Sequence, residues 1–135
     1  MRIVVGSDED TPLVAAVIDH LQQRGHTVDV VSVSDPWPEV GRAVGERVAL
    51  GDADVGVVCC WTGTGVSIAS NKVRGVRAAL CADASTAEGA RRWNDANVVA
   101  LSNRATSAPV AAEILDAFLS TPPDTDELKL IAGIE

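Results

Sequence analysis

Short apolar runs alternate along the chain with longer segments in which apolar residues recur every three or four positions. The short runs predict β-strands, and the longer segments predict amphipathic helices with one buried face. The predicted strands cover residues 2–6, 28–33, 55–60, 76–81 and 97–101. The predicted helices cover residues 11–24, 39–50, 66–71, 85–94 and 109–119, and a last helix is predicted within residues 126–134.

This alternation of strands and helices is typical of successive βαβ units, in which right-handed crossover helices join parallel strands. The third predicted strand is apolar throughout, as expected of a strand that is buried on both faces. The sequence therefore predicts an α/β fold, a Rossmann-like three-layer sandwich with a five-stranded parallel sheet, in one domain over residues 1–135. Sheets of this kind bind ligands at the carboxyl ends of their strands.

Charge narrows the classes of partner. The chain carries 19 Asp and Glu residues against 11 Lys and Arg, a net charge of −8. Such a surface repels nucleic acid and anionic membranes, so neither is an expected partner. No apolar run approaches the length of about 20 residues that spans a bilayer. The first strand also begins too close to Met1 for a signal peptide, so a cytoplasmic location is expected.

The cysteines bear on disulfides and metals. Cys59, Cys60 and Cys81 are odd in number and two of them are adjacent, so reduced thiols are expected. There is no CxxC pair, and both His20 and His26 lie far from the cysteines in sequence. No metal site is predicted.

The segment CCWTGTGVS, residues 59–67, is the most informative part of the sequence. A buried strand carries the Cys60 thiol to the edge of the sheet, and a turn with two glycines then opens a helix. The N–H groups of such a turn, together with the helix dipole, hold anions and favour a thiolate. Cys60 is therefore either a base beside an anion hole or a small buried hydrophobic residue, and position alone does not separate the two.

Several segments recur, in order and spacing, in a known family. They are residues 6–8 (GSD), 60–65 (CWTGTG), 67–72 (SIASNK), 75–81 (GVRAALC) and 94–97 (NDAN). On these segments the sequence resembles the ribose-5-phosphate isomerase B and galactose-6-phosphate isomerase family over roughly residues 1 to 120. The resemblance implies an aldose–ketose isomerase that acts on a sugar or sugar phosphate and needs neither metal nor cofactor. It also implies a role in carbohydrate metabolism, for example in the pentose phosphate pathway. It also implies a homodimer or a dimer of dimers, with each active site shared between two chains.

The resemblance further implies a mechanism. Cys60 matches the base that removes the proton next to the carbonyl and forms an enediolate, and Thr62 matches the threonine that assists it. Gly63, Thr64 and Gly65 match the loop that stabilises the enediolate oxygen. This chemistry needs a base and fixed donors where negative charge develops.

Substrate contacts are implied for Asp8, Glu9, Trp93, Asn94 and Arg104. Two of these depart from the family pattern: Glu9 and Trp93 stand where the family has histidines, the second of which is linked to opening of the sugar ring. The family's C-terminal arginines, which clasp the substrate phosphate, have no counterpart in the acidic and divergent segment 124–135. An alternative therefore stays open: an isomerase of a non-phosphorylated or otherwise different sugar, or a non-catalytic sugar-binding descendant.

Large aromatic residues are rare in this chain, which gives weight to their positions. Trp37 and Trp61 are interpreted as pocket or interface residues, because such places favour aromatic side chains. The neighbourhoods of Trp61 and Trp93 are predicted to lie at or near the contact between two subunits. Arg91 and Arg92 are interpreted as a solvated helix face.

Overall fold

A computed structural model describes all 135 residues. Five strands form one parallel sheet in the order β2-β1-β3-β5-β4. The strands are β1 (Arg2–Ser7), β2 (Thr27–Ser32), β3 (Val55–Cys60), β4 (Ala78–Leu80) and β5 (Val98–Ser102). The helices are α1 (Pro12–Gln23), α2 (Trp37–Ala49), α3 (Thr64–Asn71), α4 (Ala84–Asn94), α5 (Ala108–Ser120) and α6 (Leu128–Ile131), and a 3₁₀ turn follows at Ala132–Ile134. The predicted fold class is confirmed.

The sheet separates two hydrophobic cores. One core packs α1, α4 and α5 against one face of the sheet, and the other packs α2 and α3 against the opposite face. Because side chains alternate along a strand, β3 sends Val57 and Cys59 into the first core and Val58 and Cys60 into the second. All six residues of β3 are buried, as its apolar sequence predicted.

Several helices begin at residues whose side chains accept hydrogen bonds from the first turn. The Thr11 hydroxyl accepts the Val14 N–H at 3.3 Å, and the Asp83 carboxylate accepts the Thr86 N–H at 2.7 Å. These bonds satisfy N–H groups that have no partner within a helix. They fix where α1 and α4 begin, directly after loops at the carboxyl edge of the sheet.

The strand β4 is shorter than the six residues predicted, and two asparagines explain why it begins only at Ala78. The Asn97 side chain accepts the Arg77 N–H at 2.8 Å, so that amide is bound by a side chain instead of a neighbouring strand. The Asn71 amide group pairs with both the N–H and the carbonyl of Ala78, at 2.8 and 2.9 Å. Asn71 thus covers part of the outer edge of β4 and protects it against pairing with another chain.

The C-terminal segment also departs from its prediction. Instead of one helix within residues 126–134, it forms the single turn α6 and the 3₁₀ turn. The Asp124 N–H binds the Arg92 carbonyl at 2.8 Å, and Glu135 forms an ion pair with Arg77, so the segment is held at both ends. None of the helices is long and apolar enough to cross a membrane.

Candidate active site

Three loops meet at the carboxyl edge of the sheet, where β1, β3 and β5 end side by side. The loop after β3 is held from the β5 side by main-chain bonds: the Asn103 N–H donates to the Cys60 carbonyl at 2.8 Å and the Arg104 N–H to the Trp61 carbonyl at 3.1 Å. From the β1 side, the Asp8 N–H donates to the Cys59 carbonyl at 3.3 Å. The end of β3 is therefore held from both sides, which restricts the position of the Cys60 side chain.

Cys60 lies in a cleft of about 330 Å³, here called the Cys60 cleft. The cleft is lined by Asp8, Trp37, Cys60, Trp61, Thr62, Thr64 and Gly65. The Cys60 side chain is only 5% exposed, so water has limited access to its thiol. Five of the lining residues belong to the sequence-predicted site, and the structure brings them together.

The other two cysteines are poorly suited to act as bases. Burial, aided by the nearby Cys60 and Asp8, raises the pKa of Cys59 to about 12. Burial, aided by Asp83, raises the pKa of Cys81 to about 11. Because only the thiolate accepts a proton readily, Cys60 is the cysteine whose position suits proton abstraction.

The turn between β3 and α3 depends on Gly63. Its φ of +78° lies in the left-handed region, and a Cβ there would come within 2.9 Å of the Leu101 carbonyl carbon. Gly63 provides no side chain to cap α3, so the first N–H groups of that helix are open to a ligand. Thr64 and Gly65, in this first turn, line the Cys60 cleft. The arrangement offers N–H donors and a positive helix end beside the thiol.

Thr62 and Thr64 are joined by a hydrogen bond between their hydroxyl groups, 2.7 Å apart. Both side chains are exposed and line the Cys60 cleft. One hydroxyl can therefore orient the other, and the pair can donate to an oxygen atom bound above Cys60.

Arg104 lies in a second cleft, the Arg104 cleft, of about 270 Å³. This cleft shares Thr62 with the Cys60 cleft and also contains Cys81 and Leu80. The Arg104 guanidinium carbon is 6.0 Å from the centroid of the Trp61 ring, within the range of a cation–π contact. The Arg104 guanidinium is thus held in the cleft next to that of the candidate base Cys60, on the side of β5.

Trp93 and Asn94 line a third cleft, the Trp93 cleft, of about 540 Å³, which shares Leu80 with the Arg104 cleft. The two residues therefore do not meet Cys60 within one chain. Glu9 is exposed and lines neither the Cys60 cleft nor the Arg104 cleft. Its backbone is fixed by the Ser7 hydroxyl, which donates to the Glu9 carbonyl at 2.6 Å.

Three residues of the site escaped the sequence-based list: Trp37, Trp61 and Asn103. Trp61 lines the Cys60 cleft and had been recognised only as a pocket or interface candidate. Trp37 was recognised only as a pocket or interface candidate, yet it lines the Cys60 cleft, and a Cβ on Gly65 would come within 2.9 Å of its ring. Asn103 links two loops: it accepts from the Thr11 hydroxyl at 3.0 Å and donates to Ser7 Oγ at 3.3 Å. The scarcity of aromatic residues was a usable signal for Trp37, whereas nothing local marked Asn103.

No group of three or more His, Cys, Asp or Glu side chains is arranged to hold a metal ion. The groups that the Cys60 and Arg104 clefts present are thiols, hydroxyls, backbone N–H groups, the Asp8 carboxylate and the Arg104 guanidinium.

Comparison with known proteins places this geometry in a family. The family model described as Ribose/Galactose Isomerase matches residues 3–130. The chain belongs to the ribose/galactose isomerase family. The resemblance inferred from the motifs is thereby confirmed.

Individual members of the family match over most of the chain. The galactose-6-phosphate isomerase subunit LacB of Clostridium acetobutylicum is 38% identical, with 100% of this chain and 82% of that protein covered. D-erythrulose-4-phosphate isomerase of Pectobacterium atrosepticum is 35% identical, with 88% and 82% covered. The solved structure of Clostridium thermocellum ribose-5-phosphate isomerase B superposes with a TM-score of 0.94 at 34% identity, with 99% and 95% covered.

Proposed function

We propose that this chain is an aldose–ketose isomerase in which Cys60 is the base that moves a proton between neighbouring sugar carbons. The observation that carries the proposal is the position of Cys60, in a cleft beside the open N-terminal turn of α3. Family membership supports the reaction class, because its named members are sugar-phosphate isomerases.

The proposed step needs no cofactor. The Cys60 thiolate takes the proton from C2 of the aldose, and the carbonyl oxygen becomes an enediolate oxygen with negative charge. The N–H groups of Thr64 and Gly65 and the hydroxyl of Thr62 are placed to stabilise that charge. The proton then returns to C1 while the O2 proton moves to O1, which gives the ketose with no change in formula.

The substrate contacts proposed within one chain are Asp8 and Arg104. Asp8, in the Cys60 cleft, can accept hydrogen bonds from sugar hydroxyls, and Arg104 can bind a phosphate from the adjoining cleft. Trp93 and Asn94 lie in a separate cleft, so we propose that they act on the Cys60 cleft of a second copy in a cytoplasmic homodimer. Glu9, which follows Asp8 in the same loop, is proposed as a peripheral contact.

A second candidate function is isomerisation of a sugar that carries no phosphate. The observation that favours it is the C-terminal segment, where Asp124 and Asp126 are exposed and Glu127 is partly exposed. None of the three lines the Cys60 or Arg104 cleft of its own chain. They would oppose a phosphate only at the site of a second copy, where a carboxylate about 4 Å away is unfavourable by about 1 kcal/mol in water.

The base is tested with Cys60→Ala, assayed by exchange of the C1 or C2 proton with solvent deuterium. We expect a loss of at least about 100-fold in rate, the usual size of a general-base contribution. Thr62→Ala is expected to cost less, because it removes one donor among several. The matched control is Cys59→Ala, which removes the neighbouring thiol from the opposite core and should leave the rate of folded enzyme unchanged. Unchanged turnover in Cys60→Ala would require another base.

A further inference from the structure

The places where this chain can carry an exchangeable proton at neutral pH are few. It has two histidines, and imidazole is the side chain whose ordinary pKa lies near neutrality. His20 Nε2 lies 2.8 Å from Asp116 Oδ1, in the contact between α1 and α5. His26 lines a cleft with Arg24 and Asp116. Neither imidazole lines the Cys60, Arg104 or Trp93 cleft.

Opening of a cyclic sugar requires a proton exchange for which these clefts contain no imidazole. To open a cyclic aldose, one proton must leave the anomeric hydroxyl and another must reach the ring oxygen. A positioned group with a pKa near the working pH performs this exchange best.

The Trp93 cleft contains an indole and neither an imidazole nor a carboxylate. The Trp93 side chain is 56% exposed, and its ring lies against Gly89 on the same helix, where a Cβ would come within 2.8 Å of Cζ3. An indole neither gains nor loses a proton near neutral pH, but it can stack on the apolar face of a sugar. A second copy of the chain carries the same indole, and its two imidazoles lie beside Asp116, away from the three clefts.

We infer that the substrates of this site are sugars that are already open-chain in solution, because the hydroxyl that would close the ring is absent or esterified. The inference rests on the proposed isomerase function and specifies its substrate class. Tetrose 4-phosphates and ketopentose 5-phosphates belong to this class, since O4 or O5 respectively is occupied by phosphate. One relative is named for a four-carbon sugar phosphate, D-erythrulose 4-phosphate.

Cys60 then performs the whole reaction. The proton on C2 of an open aldose moves to C1 and the O2 proton moves to O1, so the formula is unchanged and no oxidant or reductant is consumed. The tryptophans Trp37 and Trp61, which are 44% and 60% exposed, supply apolar walls to the Cys60 cleft. Such walls bind carbon–hydrogen faces and transfer no protons.

The test compares ribose 5-phosphate, which closes its ring through O4, with ribulose 5-phosphate, erythrose 4-phosphate and erythrulose 4-phosphate, which do not close. Initial rates are measured over increasing concentrations of the wild-type protein. The rate of spontaneous ring opening is measured separately, without enzyme, by trapping the free carbonyl with a hydrazide. With ribose 5-phosphate, we expect the rate to level off at the spontaneous opening rate. With the open-chain sugars it should keep rising in proportion to enzyme.

Free imidazole supplies a second arm, because it catalyses ring opening in solution. Added imidazole should raise the maximum rate of ribose 5-phosphate turnover in proportion to the rate of ring opening. It should leave the rates with the open-chain sugars unchanged. Two results would overturn the inference while leaving the isomerase function intact. One is turnover of ribose 5-phosphate faster than spontaneous ring opening. The other is a maximum rate on ribose 5-phosphate that does not change when imidazole is added. Absence of turnover on all four sugars would overturn the inference, and absence of turnover on free sugars as well would overturn the isomerase function.

Discussion

At the scale of the residue, Cys59 and Cys60 differ in environment although they are neighbours in the chain. The twofold alternation of β3 turns Cys59 into the core of α1, α4 and α5, and burial there raises its pKa to about 12. Cys60 turns toward α2 and α3 and reaches a cleft. The direction of one side chain therefore decides which thiol is available for chemistry.

Arg104 separates the two candidate substrates. If the substrate is phosphorylated, Arg104→Met should raise its KM by about 10- to 100-fold, because a hydrogen bond to a charged group contributes about 1.5–3 kcal/mol. The change in kcat should be small, because the phosphate is remote from the reacting carbons. Steady-state kinetics on phosphorylated and free sugars measure both values.

The matched control for Arg104 is Arg2→Met, which removes an arginine from the amino end of β1, at the opposite edge of the sheet. It should leave KM unchanged. A KM that is also unchanged in Arg104→Met would favour the substrate without phosphate.

At the scale of the element, the turn before α3 and the contact between α1 and α5 serve different purposes. The turn places N–H groups at the cleft and depends on the left-handed Gly63. The contact between α1 and α5 lies away from the three clefts and carries charged pairs: Asp116 binds His20 at 2.8 Å and Arg24 at 2.9 Å. It contributes to stability and not to catalysis.

Asp116 predicts a pH dependence of stability. Although burial opposes ionisation, hydrogen bonds from His20 and Arg24 hold the pKa of Asp116 below its usual range. A carboxyl whose pKa is lowered in the folded state stabilises the fold above its unfolded pKa of about 3.9 and loses that contribution as the pH falls through its folded pKa. The side chain is 44% exposed, so the contribution is about 1 kcal/mol or less.

We therefore expect Asp116→Asn to lower the free energy of unfolding at pH 7 and to approach wild type near pH 2.5. Urea unfolding at both pH values measures the difference, and Asp126→Asn, in the C-terminal segment, is the control. An equal destabilisation at both pH values would show that the carboxylate charge is not responsible.

At the scale of the whole molecule, several large apolar side chains are exposed. Trp61, Ile68 and Trp93 are 60%, 58% and 56% exposed, and Leu80, on the edge strand β4, is 40% exposed. Leu80 and Trp93 line one cleft, and exposed apolar patches are typical of protein interfaces. The net charge of −8 excludes neither binding of a second copy nor binding of a small anionic substrate. Both depend on the hydrogen-bond donors and charges at the contact itself.

We predict a homodimer with the neighbourhoods of Trp61 and Trp93 at the contact. Light scattering should give twice the 14.0 kDa of one chain at micromolar concentration. Trp93→Glu should shift the mass toward the monomer, since burial of a charge at an interface is costly. Leu50→Glu, at a residue that is 77% exposed after α2, should not. A monomeric wild-type protein would contradict the prediction.

The sequence by itself determined the fold class, the approximate bounds of the main elements and the position of the candidate base. These features follow from local properties: the spacing of apolar residues, the residues that begin helices, and the contiguous segment from Cys60 to Gly65. The interpretation of Arg91 as part of a solvated face was wrong, because its side chain is 17% exposed, bound to Asp95 and placed over the Phe118 ring. Periodicity along α4 does not reveal what a neighbouring helix contributes.

Only the tertiary structure decided which residues share a cleft. The strand order places β5 beside β3, so a loop some 40 residues further along the chain holds the Cys60 carbonyl through the N–H of Asn103. The same order brings Trp37 to Cys60, puts Trp93 in a separate cleft and leaves His20 paired with Asp116. These placements depend on how the crossovers wind and how the helices pack. Such contacts join residues distant in sequence, and local spacing does not specify them.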